Sequence, residues 1–151
     1  MLIRPGTLDD LESLIELMRG YYRDDHLPFD PIAASRVMER LLREPQWGRV
    51  WLAEVDRQPI GYLALCIGFS LEFGGNDAFI DEVFIVPQQR GHGYGRQLLE
   101  VAGQSARELG LSALHLEVDR SNQRAQQLYQ SLGYERRERY FVMSKKIANR
   151  T

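Results

Sequence analysis

Apolar residues recur at helical spacing in the first third of the chain. Leu8, Leu11, Leu14, Ile15 and Met18 lie on one side of a helix that Thr7 is suited to cap and that ends near Arg23. The polar segment from Asp24 to Asp30 then predicts a loop. Asp30-Pro31 is typical of an N-cap followed by the first helical residue, so a second helix is predicted to end near Arg43.

The middle of the chain changes to the alternation expected of strands. Strands are predicted over Val50–Val55 and Ile60–Phe73, the second with bulky residues at odd positions and smaller or polar residues at even positions. We therefore expect one face of that strand in the core. Gly74–Asp77 predicts a hairpin turn into a central strand that begins at Phe79 and ends at Pro87.

The remaining pattern completes a mixed chain of strands and helices. The further predicted elements are a strand at Leu2–Arg4, a helix directly after Gly95, a strand at Ala113–Val118, a helix at Asn122–Leu132 and a strand at Tyr140–Ile147. The order β-α-α-β-β-β-α-β-α-β predicts an α+β fold, with an antiparallel meander followed by a right-handed strand–helix–strand crossover. A length of 151 residues predicts a single domain over 1–151.

Composition narrows the classes of function. The formal net charge is −2, so no overall basic field favours nucleic acid as a partner. The single cysteine, Cys66, allows neither an internal disulfide nor a thiolate zinc cluster, and no metal set stands out. No apolar run approaches the ~20 residues of a membrane span. The expectation is a cytoplasmic protein with no membrane partner.

Three glycines at alternate positions follow the central strand. Gly91, Gly93 and Gly95 lie between Arg90 and Arg96, directly before a helical pattern. A helix that begins there points unpaired N–H groups and its positive dipole end at one place, which suits a phosphate or pyrophosphate. A P-loop would require Gly-Lys-Ser/Thr at the end of the turn, and a dinucleotide fingerprint would have its third glycine one position later.

A second motif indicates which glycine-turn family this is. Residues 122–134 have the pattern N-x-x-A-x-x-L-Y-x-x-x-G-Y. Together with the R-x-x-G-x-G turn of 90–95, it resembles the core of the GCN5-related N-acetyltransferases, the GNAT superfamily. The resemblance implies a mixed sheet of about six to seven strands with helices on both faces. It also implies acetyl-CoA as co-substrate without a metal.

The resemblance assigns the residues expected to bind the cofactor. Backbone groups of Val83 and Ile85 are expected to pair with the pantetheine arm, where the central strand of the family splays from its neighbour. Asn122 is expected near the junction of pantetheine and pyrophosphate. The pyrophosphate itself is expected on the turn formed by Arg90, Gly91, His92, Gly93, Tyr94, Gly95 and Arg96.

Tyr129 is the residue expected to return a proton to the departing thiolate. It lies seven residues after Asn122, two helical turns along, and therefore on the same helix face. A phenol of pKa ~10 gives a proton to a thiolate of pKa ~8.5 slightly uphill, within the range of modest tuning. The alternative from the residue type alone is an aromatic side chain of the core.

The amine also requires a group that removes or attracts its proton. Asp81 and Glu82 are adjacent on the central strand, so they are predicted to point to opposite faces. The pair resembles that of the diamine acetyltransferases, which favours Asp81 over Glu82 as the functional acid. Glu72, His26 and Asp25 are further candidates for contact with the acceptor.

The sequence thus predicts an acetyl-CoA-dependent N-acetyltransferase that uses direct attack in a ternary complex. The acidic candidates favour a small, cationic primary amine as acceptor. A protein lysine or N-terminal acetyltransferase is the enzymatic alternative, and a non-catalytic acyl-CoA-binding module is the alternative from another class. A homodimer is also consistent with the family resemblance.

Overall fold

The computed structural model describes residues 1–148, which form two compact units divided after Glu117. The strands are β1 (Leu2–Pro5), β2 (Gly48–Val55), β3 (Gln58–Ser70), β4 (Gly75–Ile85) and β5 (Leu114–His115). The helices are α1 (Leu11–Asp24), α2 (Pro31–Arg43), α3 (Tyr94–Glu108) and α4 (Gln123–Ser131). All of them except α4 belong to the first unit.

The strands form one mixed sheet in the order β1-β2-β3-β4-β5. Strands β1 to β4 are antiparallel neighbours, and β5 pairs parallel to β4 after the α3 crossover. This arrangement confirms the α+β class, the meander and the crossover. The predicted number of strands was wrong, because within residues 1–148 the sheet has five strands and not six to seven.

The largest difference concerns the segment predicted as a last strand, Tyr140–Ile147. Residues 141–148 adopt neither helix nor strand. Phe141 is 78% exposed and Met143 is 93% exposed. A strand is stabilised by a ladder partner and by burial of one face. The sequence of this segment therefore alternates as a strand does, but the segment lacks the pairing and burial that would stabilise a strand.

The alternation of β3 was also misinterpreted, because both faces of its first half are buried. Tyr62 and Ala64 belong to a core cluster with residues of α1 and α2, so this side is called the α1 face below. Leu63 and Leu65 alternate to the opposite side, which α3 covers, and neither is exposed. The strand ends at Ser70 rather than Phe73, and the turn that follows leaves Leu71 90% exposed.

Capping residues position the first two helices. The Asp10 carboxylate accepts from Thr7 N–H at 2.8 Å, and a short 3-10 helix precedes α1. Arg4 donates to the same carboxylate, and chiefly this bond lowers the pKa of Asp10 to about 2. At α2 the Asp30 carboxylate accepts from the N–H groups of Ile32 and Ala33, which confirms the predicted cap.

A glycine brings α1 close to β4. A Cβ atom at Gly20 would lie 2.8 Å from Cζ of Phe84, so only glycine permits this contact without movement. Phe84 is 5% exposed and packs in the same cluster as Leu17 and Met18 of α1. The close contact sets the last turns of α1 over the second half of β4.

A β-bulge interrupts β4 beside this contact. Ala64 pairs with Glu82 and the next residue, Leu65, pairs with Ile80, which leaves Asp81 as the extra residue. Alternation along the strand is broken at this point. The rule that adjacent residues point to opposite faces therefore does not hold for the two acids.

The second unit begins at Val118 and contains α4. Asn122 caps this helix, because its side-chain oxygen accepts from Ala125 N–H at 3.1 Å. Gly133, with φ of +93°, follows the helix as predicted for its C-terminal end. Across residues 1–148, no helix is both long enough and apolar enough to cross a membrane.

Candidate active site

The glycine turn forms an open helix N-terminus behind β4. Gly91 and Gly93 have φ of +83° and +79°, a conformation that favours glycine. Gly93 is the N-cap of α3 and makes no side-chain cap bond. The first bond of the helix joins Gln97 N–H to the Gly93 carbonyl at 3.2 Å.

The N–H groups of Tyr94 and Gly95 lie at this end, before that first bond. The first turn of α3 contains no acidic residue, and a Cβ at Gly93 or Gly95 would meet nothing within 4 Å. Backbone donors, open space and the positive end of a 15-residue helix suit an anion. The residues therefore fit a pyrophosphate.

The Arg90 side chain connects the turn to α1 and β4. Its Nη2 lies 2.6 Å from Oδ2 of Asp24, and its Nε donates to the Ile85 carbonyl at 2.8 Å. The guanidinium also lies 5.5 Å from the centre of the Phe84 ring. Arg90 thus braces the turn, and Asp24 offsets part of its charge. In the same turn, the His92 ring stacks on Tyr94 at 5.4 Å.

One edge of β4 is open near the turn. Pairing between β4 and β5 ends at Phe79 and His115. The Val86 N–H donates to Ile60, which directs even-numbered residues of this stretch toward β3. Backbone groups of Val83 and Ile85 therefore point to the other side, where no strand pairs with them within residues 1–148.

Glu82 is a buried carboxylate on the α1 face. Its residue is 8% exposed, and its Oε2 accepts from the Tyr62 hydroxyl at 2.7 Å. The hydroxyl of Tyr22, from α1, acts on the same carboxylate. Burial raises the pKa of Glu82 above its ordinary value, although both hydroxyls oppose this shift.

Asp81 is more exposed than Glu82, and burial of its carboxyl still raises its pKa. Burial, with smaller effects from both acids, raises the pKa of the Cys66 thiol to about 11. Both acids likewise contribute to the raised pKa of Tyr22. Both carboxylates thus influence groups of the α1 face, and the bulge removes the basis for the prediction that they point to opposite faces.

The α1 face carries aromatic residues beyond the acid pair. Phe79 pairs with Cys66 on one side and His115 on the other, and it is 42% exposed. The His115 ring lies between Phe79 and Phe73, with centroids 5.1 Å and 4.9 Å away. Its Nε2 is 2.9 Å from the buried Asp77 carboxylate.

The other predicted acceptor residues are distributed around the first unit. Glu72 is exposed in the turn between β3 and β4, and ten residues separate it from Glu82. At ~3.3 Å per residue, most of β4, on the order of 20 Å, lies between them. Asp25 and His26 are exposed at the end of α1, where His26 has φ of +54°.

Asn122 and Tyr129 belong to the second unit. The Asn122 oxygen caps α4, so its side-chain amide group is the part left for another partner. The Tyr129 ring contacts Tyr134 edge to face at 6.0 Å. Burial raises the pKa of Tyr129 and raises that of Tyr134 to about 12.

Tyr62 and Tyr22 are the residues that sequence reasoning missed. Tyr62 occupies an even position of β3, on the side expected to be small and polar, yet it is fully buried. Its hydroxyl on an otherwise apolar surface was the available signal, since a buried phenol requires a partner. Among the described residues, no group of three or more His, Cys, Asp or Glu side chains is placed to hold a metal ion.

The family model for the acetyltransferase (GNAT) family matches residues 11–134. The matched range contains both motifs, the acid pair and most of the sheet. Members of this family transfer an acetyl group from acetyl-CoA, which agrees with a turn that suits a pyrophosphate.

Curated relatives agree with the family match. The chain is 38% identical to the uncharacterized N-acetyltransferase YycN of Bacillus subtilis, over 97% of this chain and 99% of that protein. It is 30% identical to the thialysine N-epsilon-acetyltransferase of Bos taurus, over 88% and 83% of the two chains. An uncharacterized N-acetyltransferase of Methanocaldococcus jannaschii is also 30% identical, and the chain spans 61% of its length.

A solved structure shares both fold and sequence with the chain. An integron cassette protein from the mobile metagenome of Cole Harbour Salt Marsh superposes with a TM-score of 0.86 and 30% identity. The match covers 98% of this chain and 91% of that one. With the family model and the named relatives, it shows that the chain belongs to the GNAT family of acetyltransferases and is an acyltransferase.

Proposed function

We propose that the protein transfers the acetyl group of acetyl-CoA to the primary amine of a small cationic acceptor, by direct attack in a ternary complex. The observation that carries this proposal is the pairing of two features on one strand. Buried Glu82 lies on β4, and the open N-terminus of α3 follows the end of the same strand. One feature suits the cofactor and the other suits the proton of the amine.

Cofactor binding is assigned to the backbone of the first unit. The N–H groups at the start of α3 would hold the pyrophosphate, with Arg90 fixing the turn from behind. The open edge at Val83 and Ile85 would pair with the pantetheine amides. Arg90 already occupies the Ile85 carbonyl, so the N–H groups of this edge are the main positions for the cofactor.

Glu82 is proposed as the group that accepts the amine proton. An alkyl amine has a pKa near ~10 and arrives protonated, so it must lose a proton before it attacks the thioester carbon. A carboxylate whose pKa is raised by burial accepts a proton more readily than an ordinary one. The sequence favoured Asp81, but the burial of Glu82 and its phenol partners support exchanging the two roles.

Asp81 is proposed to attract the acceptor. It is exposed on the same strand, two residues after Phe79, whose ring contacts His115. A carboxylate beside aromatic rings attracts an ammonium group on an apolar stem through charge and cation–π interactions. This combination supports a cationic acceptor over an anionic one.

The transfer balances with two protons. An ammonium that becomes an amide gives up two protons. The first passes to Glu82, directly or through water, and frees the amine that bonds to the thioester carbon. The second leaves the nitrogen of the tetrahedral intermediate for water. The C–S bond then breaks and the thiolate takes a proton, for which Tyr129 is proposed as donor. Burial raises the pKa of the Tyr129 phenol and makes it a weaker acid than usual, so this proton transfer is more uphill than the ordinary pKa values indicate. The proton that the nitrogen releases to water restores the phenol.

The test is thiol release from acetyl-CoA by the purified chain, with polyamines, free amino acids, aminoglycosides and lysine peptides offered separately. Turnover restricted to small cationic amines supports the proposal. Turnover with peptides alone would replace it by a protein acetyltransferase. Absence of release with every amine, together with tight CoA binding, would replace it by a non-catalytic acyl-CoA-binding module.

A further inference from the structure

The Tyr62 hydroxyl is buried and hydrogen-bonds to Glu82. Tyr62 is 0% exposed, and its hydroxyl donates to Oε2 of Glu82 at 2.7 Å across the sheet. Phenylalanine would fill the same space between α1 and β3. The additional oxygen therefore serves the carboxylate rather than the packing.

A second phenol reaches the same carboxylate from a different element. Tyr22 lies in α1, and its hydroxyl acts on Glu82. Its ring is braced edge to face by Tyr21 at 5.5 Å and contacts Phe29 at 5.3 Å. Glu82 is thus hydrogen-bonded by Tyr62 of β3, and the Tyr22 hydroxyl of α1 lowers its pKa.

Burying Glu82 beside the hydroxyls of Tyr62 and Tyr22 costs free energy of folding. Burial raises the pKa of Glu82, the neighbouring Asp81 raises it further, and the hydroxyls of Tyr62 and Tyr22 lower it. Tyr21 and Cys66 also face these groups and take part in their mutual electrostatics. An apolar residue at position 82 with phenylalanine at 62 would avoid the desolvation, so the arrangement indicates selection for activity.

We propose that Tyr62, assisted by Tyr22, is a positioning residue that fixes the Glu82 carboxylate and keeps it ionised to receive the amine proton. The inference rests on the proposed function, because only an acceptor amine requires that ionised carboxylate. The two hydroxyls act through Glu82, and neither is assigned contact with the cofactor or the acceptor.

The first test reads the carboxyl directly and requires no turnover. Titration of the chain with ¹³C-labelled glutamate side chains, assigned through Glu82→Gln, reports the protonation of Glu82 by NMR. Tyr62→Phe should move that titration to higher pH, because the anion loses a donor, and Tyr22→Phe should move it less. Tyr140→Phe, which removes a hydroxyl from a residue that is 59% exposed, should leave it unchanged.

The second test follows kcat/KM of the same variants between pH 5 and 9. The acidic limb of Tyr62→Phe should shift to higher pH, and kcat/KM at pH 6 should fall at least ~5-fold while recovering at higher pH. A loss that is equal at every pH would indicate a merely structural role and overturn the inference.

The two readouts separate the possible failures. An unchanged NMR titration in both phenylalanine variants overturns the inference, whatever the activity. If the titration shifts but the chain acetylates no amine, the result supports the effect of the two hydroxyls on the Glu82 carboxylate and rejects the proposed function. If Tyr62→Phe does not fold, Tyr22→Phe provides the same two measurements from the other side of the carboxylate.

Discussion

The two halves of the candidate site use different parts of the chain. At the start of α3, the proposed anion site consists of backbone N–H groups, and the turn depends on glycines with positive φ. At the acid pair, side chains from α1, β3 and β4 meet at a buried carboxylate. The first half is encoded within a few consecutive residues, whereas the second exists only when distant segments pack.

The contrast explains how each half was anticipated. The spacing of glycines before a helical pattern predicted the turn and the anion site proposed there, and Gly91 and Gly93 have a conformation that favours glycine. The alternation argument for Asp81 and Glu82 failed because a bulge is set by the register between β3 and β4, which local alternation does not encode.

The largest expected effect comes from a change at the acid pair that leaves the start of α3 intact. Glu82→Gln keeps the size and a hydrogen-bond acceptor for Tyr62 but removes the proton acceptor, so kcat should fall by ~10²–10⁴-fold. CoA affinity, measured by calorimetry, should be unchanged. Asp81→Asn should instead raise KM for a cationic acceptor, with a smaller fall in kcat. A larger kcat loss in Asp81→Asn than in Glu82→Gln would restore Asp81 as the base.

The next largest effect comes from a change in the glycine turn at the start of α3. Gly93→Ala forces a side chain into a conformation with φ of +79° and should weaken CoA binding at least ~10-fold. Gly110→Ala is the matched control, because Gly110 has φ of +68° and equally open surroundings at the far end of α3. Similar losses of thermal stability with unequal CoA affinities, measured by calorimetry, would confirm the assignment. Equal CoA affinities would contradict it.

A third change tests whether Tyr129 of the second unit donates a proton in the reaction. Tyr129→Phe should lower kcat ~10-fold or more with little change in CoA affinity, because the thiolate loses its proton donor. Tyr134→Phe removes the neighbouring hydroxyl, and stopped-flow thiol release should remain at the parental rate. Equal rates in both variants and the parent would remove Tyr129 from the mechanism.

The smallest expected effect appears in stability. Because the folded pKa of Glu82 is raised, the unfolded chain loses this proton first as pH increases, and stability falls between the ordinary pKa and the raised one. Glu82→Gln removes that loss, so its free energy of unfolding should exceed that of the parent at pH 7 and equal it at pH 3. Denaturant titration at both pH values checks this, with exposed Glu100→Gln as the control. A destabilised Glu82→Gln at pH 7 would show that the carboxylate supports the fold.

The fold itself was predictable where local pattern and packing agree. The caps at Thr7 and Asp30, the meander and the crossover follow from residue types at fixed positions. The absence of the sixth strand could not be predicted, since the alternation near Phe141 has no buried face among the described residues. Tyr62 was missed for the opposite reason: its burial comes from α1, which alternation within β3 does not report.

The bulge at Asp81 also has an evolutionary consequence. It consists of one residue in excess of a regular ladder, so a single-codon deletion would restore the pairing of β4 with β3. The deletion would leave the rest of the sheet in register while removing one of the two acids. A lineage could therefore lose or regain the acid proposed to attract the acceptor by a deletion or insertion of three nucleotides, while Glu82 stays in the chain.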